Sequence, residues 1–209
     1  MIEKRAENIM ILEEANYQRT MKRDVEPYLR SYEKDGYIES YDKTAIYYRT
    51  YRIPQAKAGI VISHGFCEFA EKYKEVIYYF LKNGYSVYVP EHRGHGYSDR
   101  IVVEGEKVHI EDYEQYVQDL HCFVKNVVEL TEKRKNLFCH SMGGAIGVRY
   151  LEEFPLTFDA AILSAPMIGM NTGKYPKWLA KVTADFFCAI GKGTKYAAGQ
   201  SGFSDKPSF

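Results

Sequence analysis

The stretch from Asn136 to Tyr150, Asn-Leu-Phe-Cys-His-Ser-Met-Gly-Gly-Ala-Ile-Gly-Val-Arg-Tyr, is compatible with very few folds. A short apolar run, Leu137-Phe138-Cys139, leads straight into Ser141, and small and apolar residues then continue at helical spacing until Pro155. The pattern is a strand, a sharp turn and a helix, with a hydroxyl at the apex. Ser141 sits in Cys139-His140-Ser141-Met142-Gly143, which is G-x-S-x-G with its first glycine replaced by cysteine. In a nucleophile elbow the turn is so tight that the flanking positions must be small, and the serine is pushed out above the sheet. Cysteine is small enough for that place, though less permissive than glycine. The plainer reading is that Gly143, Gly144 and Gly147 only let a helix pack closely on a sheet, and five residues alone do not separate the two.

The surrounding chain supplies the sheet such a turn needs. The alternation in Tyr37-Ile38-Glu39-Ser40 and from Thr44 to Ile53 predicts two early strands in a meander. Gly59-Ile60-Val61-Ile62-Ser63 is a continuous apolar run that suits a strand buried on both faces, and it empties into His64-Gly65-Phe66-Cys67-Glu68. Tyr73, Val76, Ile77, Phe80 and Leu81 fall on one helical face, ended by Gly84. Residues 85–89 read as the next strand, feeding a loop from Glu91 to Asp99. An amphipathic helix from near Asp112 to Thr131 turns Tyr113, Val117, Leu120, Val124 and Val127 inward. After the turn at Ser141 comes a further buried strand, Ala160 to Ser164. Strands alternating with helices predict a doubly wound, mostly parallel α/β sheet, whose chemistry gathers at the carboxyl ends of its strands. His64-Gly65, the Arg93 loop and Ser141 would all lie there.

Charge and composition exclude several functions. Lys+Arg and Asp+Glu both number 28, so no net field would draw in nucleic acid or an anionic membrane, and no basic stripe with interleaved aromatics occurs. No apolar run approaches the ~20 residues needed to span a bilayer. The first residues alternate charges and lack the apolar stretch of a signal peptide. Cys67, Cys122, Cys139 and Cys188 are scattered, with no C-x-x-C and no metal-like pairing with histidine, so reduced thiols in a cytoplasmic protein are expected, without a metal. The glycines of Arg93-Gly94-His95-Gly96 lack the lysine and spacing of a phosphate cradle. No cofactor is expected, and the sequence carries no signal for an oligomeric state.

Acyl transfer by serine needs a nucleophile, a base, an orienting carboxylate and donors for the developing oxyanion. Ser141 would be the nucleophile. The backbone N–H groups of Met142 and Phe66 would be the donors, one just after the nucleophile and one in the loop after the third strand. His64 belongs to that loop and reads as a turn residue, not the base. Glu68 and Arg93, at neighbouring strand ends, are expected to form an ion pair that braces the loops.

Three collinear motifs, His64 to Glu68, Glu91-His92-Arg93-Gly94-His95-Gly96-Tyr97-Ser98 and His140-Ser141-Met142-Gly143-Gly144, resemble the α/β-hydrolase group of monoacylglycerol lipases and bacterial lysophospholipases, catalogued with the serine aminopeptidases. The resemblance runs from about Tyr37 to Met167. It implies the α/β-hydrolase fold and hydrolysis of a monoacyl lipid ester through an acyl-enzyme on Ser141, with Phe66 and Met142 as the oxyanion hole. It gives His64, Gly65, Glu68, Arg93, His140 and Gly143 a part in shaping the site. It also implies a helical cap after the sixth strand. The boundaries expected are a helical extension over 1–30 closed by Pro27, a core over 31–167 and the start of the cap over 168–209. The apolar positions Trp178, Leu179, Val182, Phe186, Phe187 and Ile190 recur at helical spacing, which is ordinary core or the greasy face of that cap. Trp178, Phe186 and Phe187 are then acyl-pocket candidates, and the cap a place of transient contact with a membrane surface.

The pattern breaks in one respect. In this fold the triad runs serine, acid, histidine. All six histidines (His64, His92, His95, His109, His121 and His140) precede Ser141, and the acids after it are Glu152, Glu153, Asp159, Asp185 and Asp205. None of these acids follows a recognisable seventh strand. The expectation is an amino-terminal part of a longer hydrolase, truncated within the cap and essentially inactive alone. The alternative is a non-catalytic lipid binder of the same shape or an inert fragment.

Overall fold

The computed structural model describes residues 11–105, 107–169 and 176–196. Of the expected helical extension, residues 1–10 lie outside this range, as does Asp205. The described part begins with helix α1 (Tyr17–Thr20), passes through a π turn at Met21–Val25 and continues into α2 (Glu26–Arg30). Pro27 does not close the segment. It follows just after the π turn, and the helix runs on through it to Arg30. Val25 and Leu29 from this stretch are fully buried in the core.

Six strands form one sheet in the order β1-β2-β4-β3-β5-β6. β1 (Glu33–Glu39) and β2 (Ala45–Tyr51) pair antiparallel, and β2 joins β4 (Ser86–Pro90) antiparallel. β3 (Gly59–Ser63), β4, β5 (Lys135–His140) and β6 (Ala160–Ser164) are parallel. All five residues of β3 and all five of β4 are buried, because helices cover both faces there. Ile60 and Ile62 pack with Val25, Leu29, Ile77 and Leu81 beneath α3 (Lys74–Lys82). Val61 and Leu137 face Val117, Leu120, Ile146 and Tyr150, beneath α4 (Glu114–Phe123) and α5 (Met142–Glu153).

The long amphipathic helix changes pitch part-way. α4 gives way to a π turn over Val124–Val128. Through this π turn Val127 packs half-buried against the core as expected, and the extra residue brings Val128 in fully buried beside it. β6 pairs with β5 as expected, but it is not a buried strand. It lies at the sheet edge with no strand beyond it among the described residues, and four of its five residues are exposed. After it comes α6 (Lys177–Ala189), with no buried residue.

The chain leaves β3 for β4 on one side of the sheet and leaves β5 for β6 on the other. The crevice between the carboxyl ends of β3 and β5 is therefore the topological switch point, where doubly wound sheets hold their ligands. His64-Gly65-Phe66 and Ser141 are the residues immediately beyond those two ends.

Candidate active site

Ser141 lies between the last residue of β5 and the first of α5, with φ 51° and ψ −116°. A non-glycine residue at positive φ is costly and persists only where its surroundings over-determine it. Here the Ser141 N–H donates to Ser164 O at 3.1 Å, and the N–H groups of Gly144 and Met167 donate to Ser141 O at 2.9 and 2.8 Å. The side chain of Ser141 makes no hydrogen bond among the described residues. α5 sits so close to β3 that a Cβ on Gly143 would collide with the Ser63 carbonyl. Cys139 fits in place of a glycine because residue 147 is glycine: a Cβ there would strike the Cys139 sulfur.

Phe66 follows the carboxyl end of β3, the strand beside β5, and Met142 directly follows Ser141. Met142 is the first residue of α5, where a backbone N–H has no acceptor within the helix. The Phe66 N–H has no acceptor among the described residues, and its ring is 56% exposed. His95 packs edge-on against that ring and belongs to a group of three buried imidazoles with His64 and His92. His64 and His92 have centroids 4.2 Å apart, and His95 stands 5.3 Å from His64 and 5.8 Å from the Phe66 ring.

The nitrogens of these rings are largely committed. His64 Nε2 accepts the His92 N–H at 2.9 Å, so its proton is on Nδ1, which donates to Gly65 O at 2.8 Å. Burial pushes the His64 imidazole down to about 3. His92 Nε2 lies 3.1 Å from the Ser63 hydroxyl, which itself donates to Gly143 O at 3.3 Å. Burial, then the neighbouring imidazoles, holds His92 well below the usual histidine range. His95 Nδ1 is 3.1 Å from Arg93 O, its Nε2 has no partner among the described residues, and burial lowers it too.

The expected ion pair between Glu68 and Arg93 does not form. Arg93 reaches the other way, donating from Nε and Nη2 to the two oxygens of Asp119, both at 2.6 Å, and from Nη1 to Asp42 at 2.8 Å. The Arg93 and Asp119 side chains are only 4% and 3% exposed. Burial pushes the Asp119 carboxyl up, and hydrogen bonds from Arg93 and Ser40 only partly draw it back. A bidentate fork between two carboxylates is a better site for a guanidinium than one loop carboxylate. Sequence reasoning missed Asp42 and Asp119, although an acid between Tyr116 and Leu120 on the buried face of a helix was a usable sign. Glu68 instead accepts from the Gly65 N–H at 2.8 Å and the Tyr73 hydroxyl at 2.6 Å, with His140 Nδ1 at 3.2 Å.

The four described acids after Ser141 are occupied elsewhere. Glu152 pairs with Arg149 at 2.7 Å and Glu153 accepts from Gln118 at 2.9 Å. Asp159 accepts the Lys135 N–H at 3.0 Å, and Asp185 pairs with Lys181 at 2.7 Å. On α6, Trp178 and Phe186 are exposed, and Phe187 borders a cavity of about 320 Å³ with Ala184, Lys192 and Tyr196. Trp178 and Phe186 do not line it. Among the described residues there is no cluster of His, Cys, Asp and Glu able to hold a metal ion, and no helix long and apolar enough to cross a membrane.

A mostly parallel sheet with a strand–bend–helix at its switch point defines an α/β-hydrolase. Residues 54–202 match the family described as Serine aminopeptidase, S33, and the chain belongs to that family of hydrolases. Lysophospholipase L2 of Escherichia coli (strain K12) is 35% identical over 123 residues, which is 58% of this chain and 36% of that protein. Monoacylglycerol lipase of Mycolicibacterium smegmatis is 32% identical over 122 residues, 58% of this chain and 42% of that protein. This chain thus spans less than half the length of these curated relatives. Among solved structures, a thermostable carboxyl esterase from Bacillus coagulans superposes with a TM-score of 0.65 at 21% identity, over 79% of this chain and 53% of that one. A soluble variant of monoglyceride lipase from Saccharomyces cerevisiae gives 0.60 at 21% identity, over 75% and 52%.

Proposed function

We propose that this chain carries the nucleophile and oxyanion side of a serine ester hydrolase acting on monoacyl lipids. The observation that carries the proposal is Ser141 at φ 51° between β5 and α5, its hydroxyl unengaged among the described residues. The amides of Met142, next in the chain, and of Phe66, just past the carboxyl end of the adjacent β3, are the donors this reading assigns. In the reaction, Ser141 Oγ attacks the ester carbonyl carbon and its proton passes to a base. The carbonyl oxygen becomes an oxyanion facing the two amides. Collapse expels the alcohol with a proton, leaving an acyl-serine that water then hydrolyses to the fatty acid. The names of the relatives, lysophospholipase and monoacylglycerol lipase, favour a single-chain lipid as the acyl donor. The exposed face of α6, with Trp178, Phe186 and Phe187, suits the start of a cap that receives the acyl chain and touches a membrane surface. Four unpaired cysteines agree with a cytoplasmic setting.

The base is the missing part. No histidine follows Ser141 in these 209 residues. His64 has both ring nitrogens engaged by the backbone. His140 is hydrogen-bonded to Glu68 and not to Ser141. The 209-residue chain is therefore expected to turn over a monoacylglycerol or lysophospholipid on the order of 10⁴-fold or more slower than an enzyme with a whole triad. A fluorophosphonate should still label Ser141 slowly and once per chain, with no labelling of Ser141→Ala. Rapid Ser141-dependent turnover by the purified chain would refute the inactivity. Complete absence of labelling would favour the second reading, a non-catalytic lipid binder, which the occupied acids after Ser141 also suit.

A further inference from the structure

Three elements meet at one carboxylate oxygen that the acyl-transfer chemistry does not use. Glu68 Oε2 accepts the Gly65 N–H at 2.8 Å, the Tyr73 hydroxyl at 2.6 Å and, at 3.2 Å, the Nδ1–H of His140. Gly65 and Glu68 belong to the loop after β3, Tyr73 to the turn that opens α3, and His140 is the residue before Ser141. The fit is close: a Cβ on Gly65 would lie 2.7 Å from Glu68 Oε2 and 3.1 Å from His140 Nδ1. Burial pushes the Glu68 carboxyl up, but the hydrogen bonds from Tyr73, Gly65 and His140 outweigh it, and the group is held below the usual carboxylate range.

The consequence stems from the planarity of one peptide. Gly65 O and the Phe66 N–H sit on the same trans peptide unit and point in opposite directions. Gly65 O is gripped by His64 Nδ1–H at 2.8 Å and by the Glu68 N–H at 3.3 Å. With the oxygen held on one side, the Phe66 N–H must project on the other. The side chain of Glu68 then fastens this loop to the strand end that bears Ser141, through His140.

We infer that Glu68 is a positioning residue for the acyl-transfer site: its carboxylate ties the loop after β3 to the end of β5 and so sets the direction of the Phe66 N–H relative to Ser141. The inference rests on the proposed function for its catalytic consequence, but the tie itself is separate. His140 takes its part as the far anchor, donating from Nδ1 to the Glu68 carboxylate.

Two measurements on the 209-residue chain test the two halves. Hydrogen exchange and side-chain NMR read the tie: wild-type His140 should be the Nδ1–H tautomer, and Glu68→Ala should speed exchange of the Gly65 amide about tenfold or more. Glu68→Gln, which keeps an acceptor oxygen, should restore most of that protection. Phosphonylation of Ser141 by a fluorophosphonate reads the consequence: Glu68→Ala should slow it by about ten- to a hundredfold, and Glu68→Gln by less. An Nε2–H tautomer of His140 in the wild type, or Gly65 exchange indifferent to both substitutions, overturns the inference. So does phosphonylation unchanged in both variants. If Ser141 in the wild type is not labelled at all, the hydrolase reading fails, while the tautomer and the Gly65 exchange still decide whether Glu68 holds the loop. Should Glu68→Ala not fold, Glu68→Gln alone carries the comparison, through a partial loss of Gly65 protection.

Discussion

β3 and β6 are both short, apolar, parallel strands, Gly-Ile-Val-Ile-Ser and Ala-Ala-Ile-Leu-Ser, yet they end in opposite surroundings. β3 lies at the middle of the sheet with every residue buried, while Ile162 in β6 is 58% exposed. The segments attached to their carboxyl ends differ in the same way. The loop after β3 is fastened by Glu68, Tyr73 and His64, whereas α6, the helix after β6, buries nothing. Equal hydrophobicity therefore gives unequal burial. Among the described residues, helices arrive on both faces of β3 and β4, while β6 has a strand on one side only.

The strongest way to break the tight side is to remove Arg93. Arg93→Met leaves Asp119 buried without its cation, and a loss of about 3–5 kcal/mol in urea unfolding at pH 8 is expected. Because burial raises the Asp119 carboxyl, and the loss of Arg93 raises it further, protonation relieves the defect. The difference from wild type should shrink between pH 8 and pH 5. A cost independent of pH would mean that Asp119 finds another partner.

An effect of comparable size on the same side comes from pH alone. The unfolded histidine titrates near ~6.5, and folding holds His64 down to about 3, with His92 and His95 lowered as well. Below ~6.5 the unfolded chain takes up protons that the fold refuses, so stability is full above that pH and is lost as pH falls toward 3. Each histidine so held contributes a slope of up to ~1.4 kcal/mol per pH unit. The groups around the cluster are Glu68, Lys72, Glu91, Arg93, Arg100 and Tyr116, none of which offers His95 Nε2 a hydrogen bond. Unfolding free energies at pH 7 and pH 5 should differ by about 2 kcal/mol or more, and a flat profile would contradict neutral buried imidazoles.

The loose side should yield the smallest changes. Trp178→Ala on α6 and Ile162→Lys on β6 are each expected to alter unfolding free energy by no more than about 0.5 kcal/mol, since neither removes a buried contact. Ile162→Lys should nevertheless reduce self-association by light scattering, because a charge on an apolar edge strand discourages strand addition. A large loss of stability in either variant would show that the two regions are packed alike.

Local pattern carried some features and failed on others for identifiable reasons. β3, β4 and the bend at Ser141 were readable because a continuous apolar run and a run of small residues each report a backbone shape directly. The positive φ of Ser141 is the shape that its small neighbours implied. The partners of Arg93 were not readable. Asp42 and Asp119 lie 51 and 26 residues away, while Glu68, nearer in the motif, turned toward Tyr73 and His140. The burial of Val128 beside Val127 was hidden as well, since periodicity assumes one helical pitch and the π turn changes it.

Residue order and size were enough to dictate a strand, a tight bend and a helix around Ser141, because torsion angles and side-chain periodicity act over a few neighbours. Which carboxylate meets Arg93, which histidines are sealed from water and which apolar strand stays bare were decided by packing. Those outcomes depend on surfaces brought together across tens of residues, and no short window of the chain contains them.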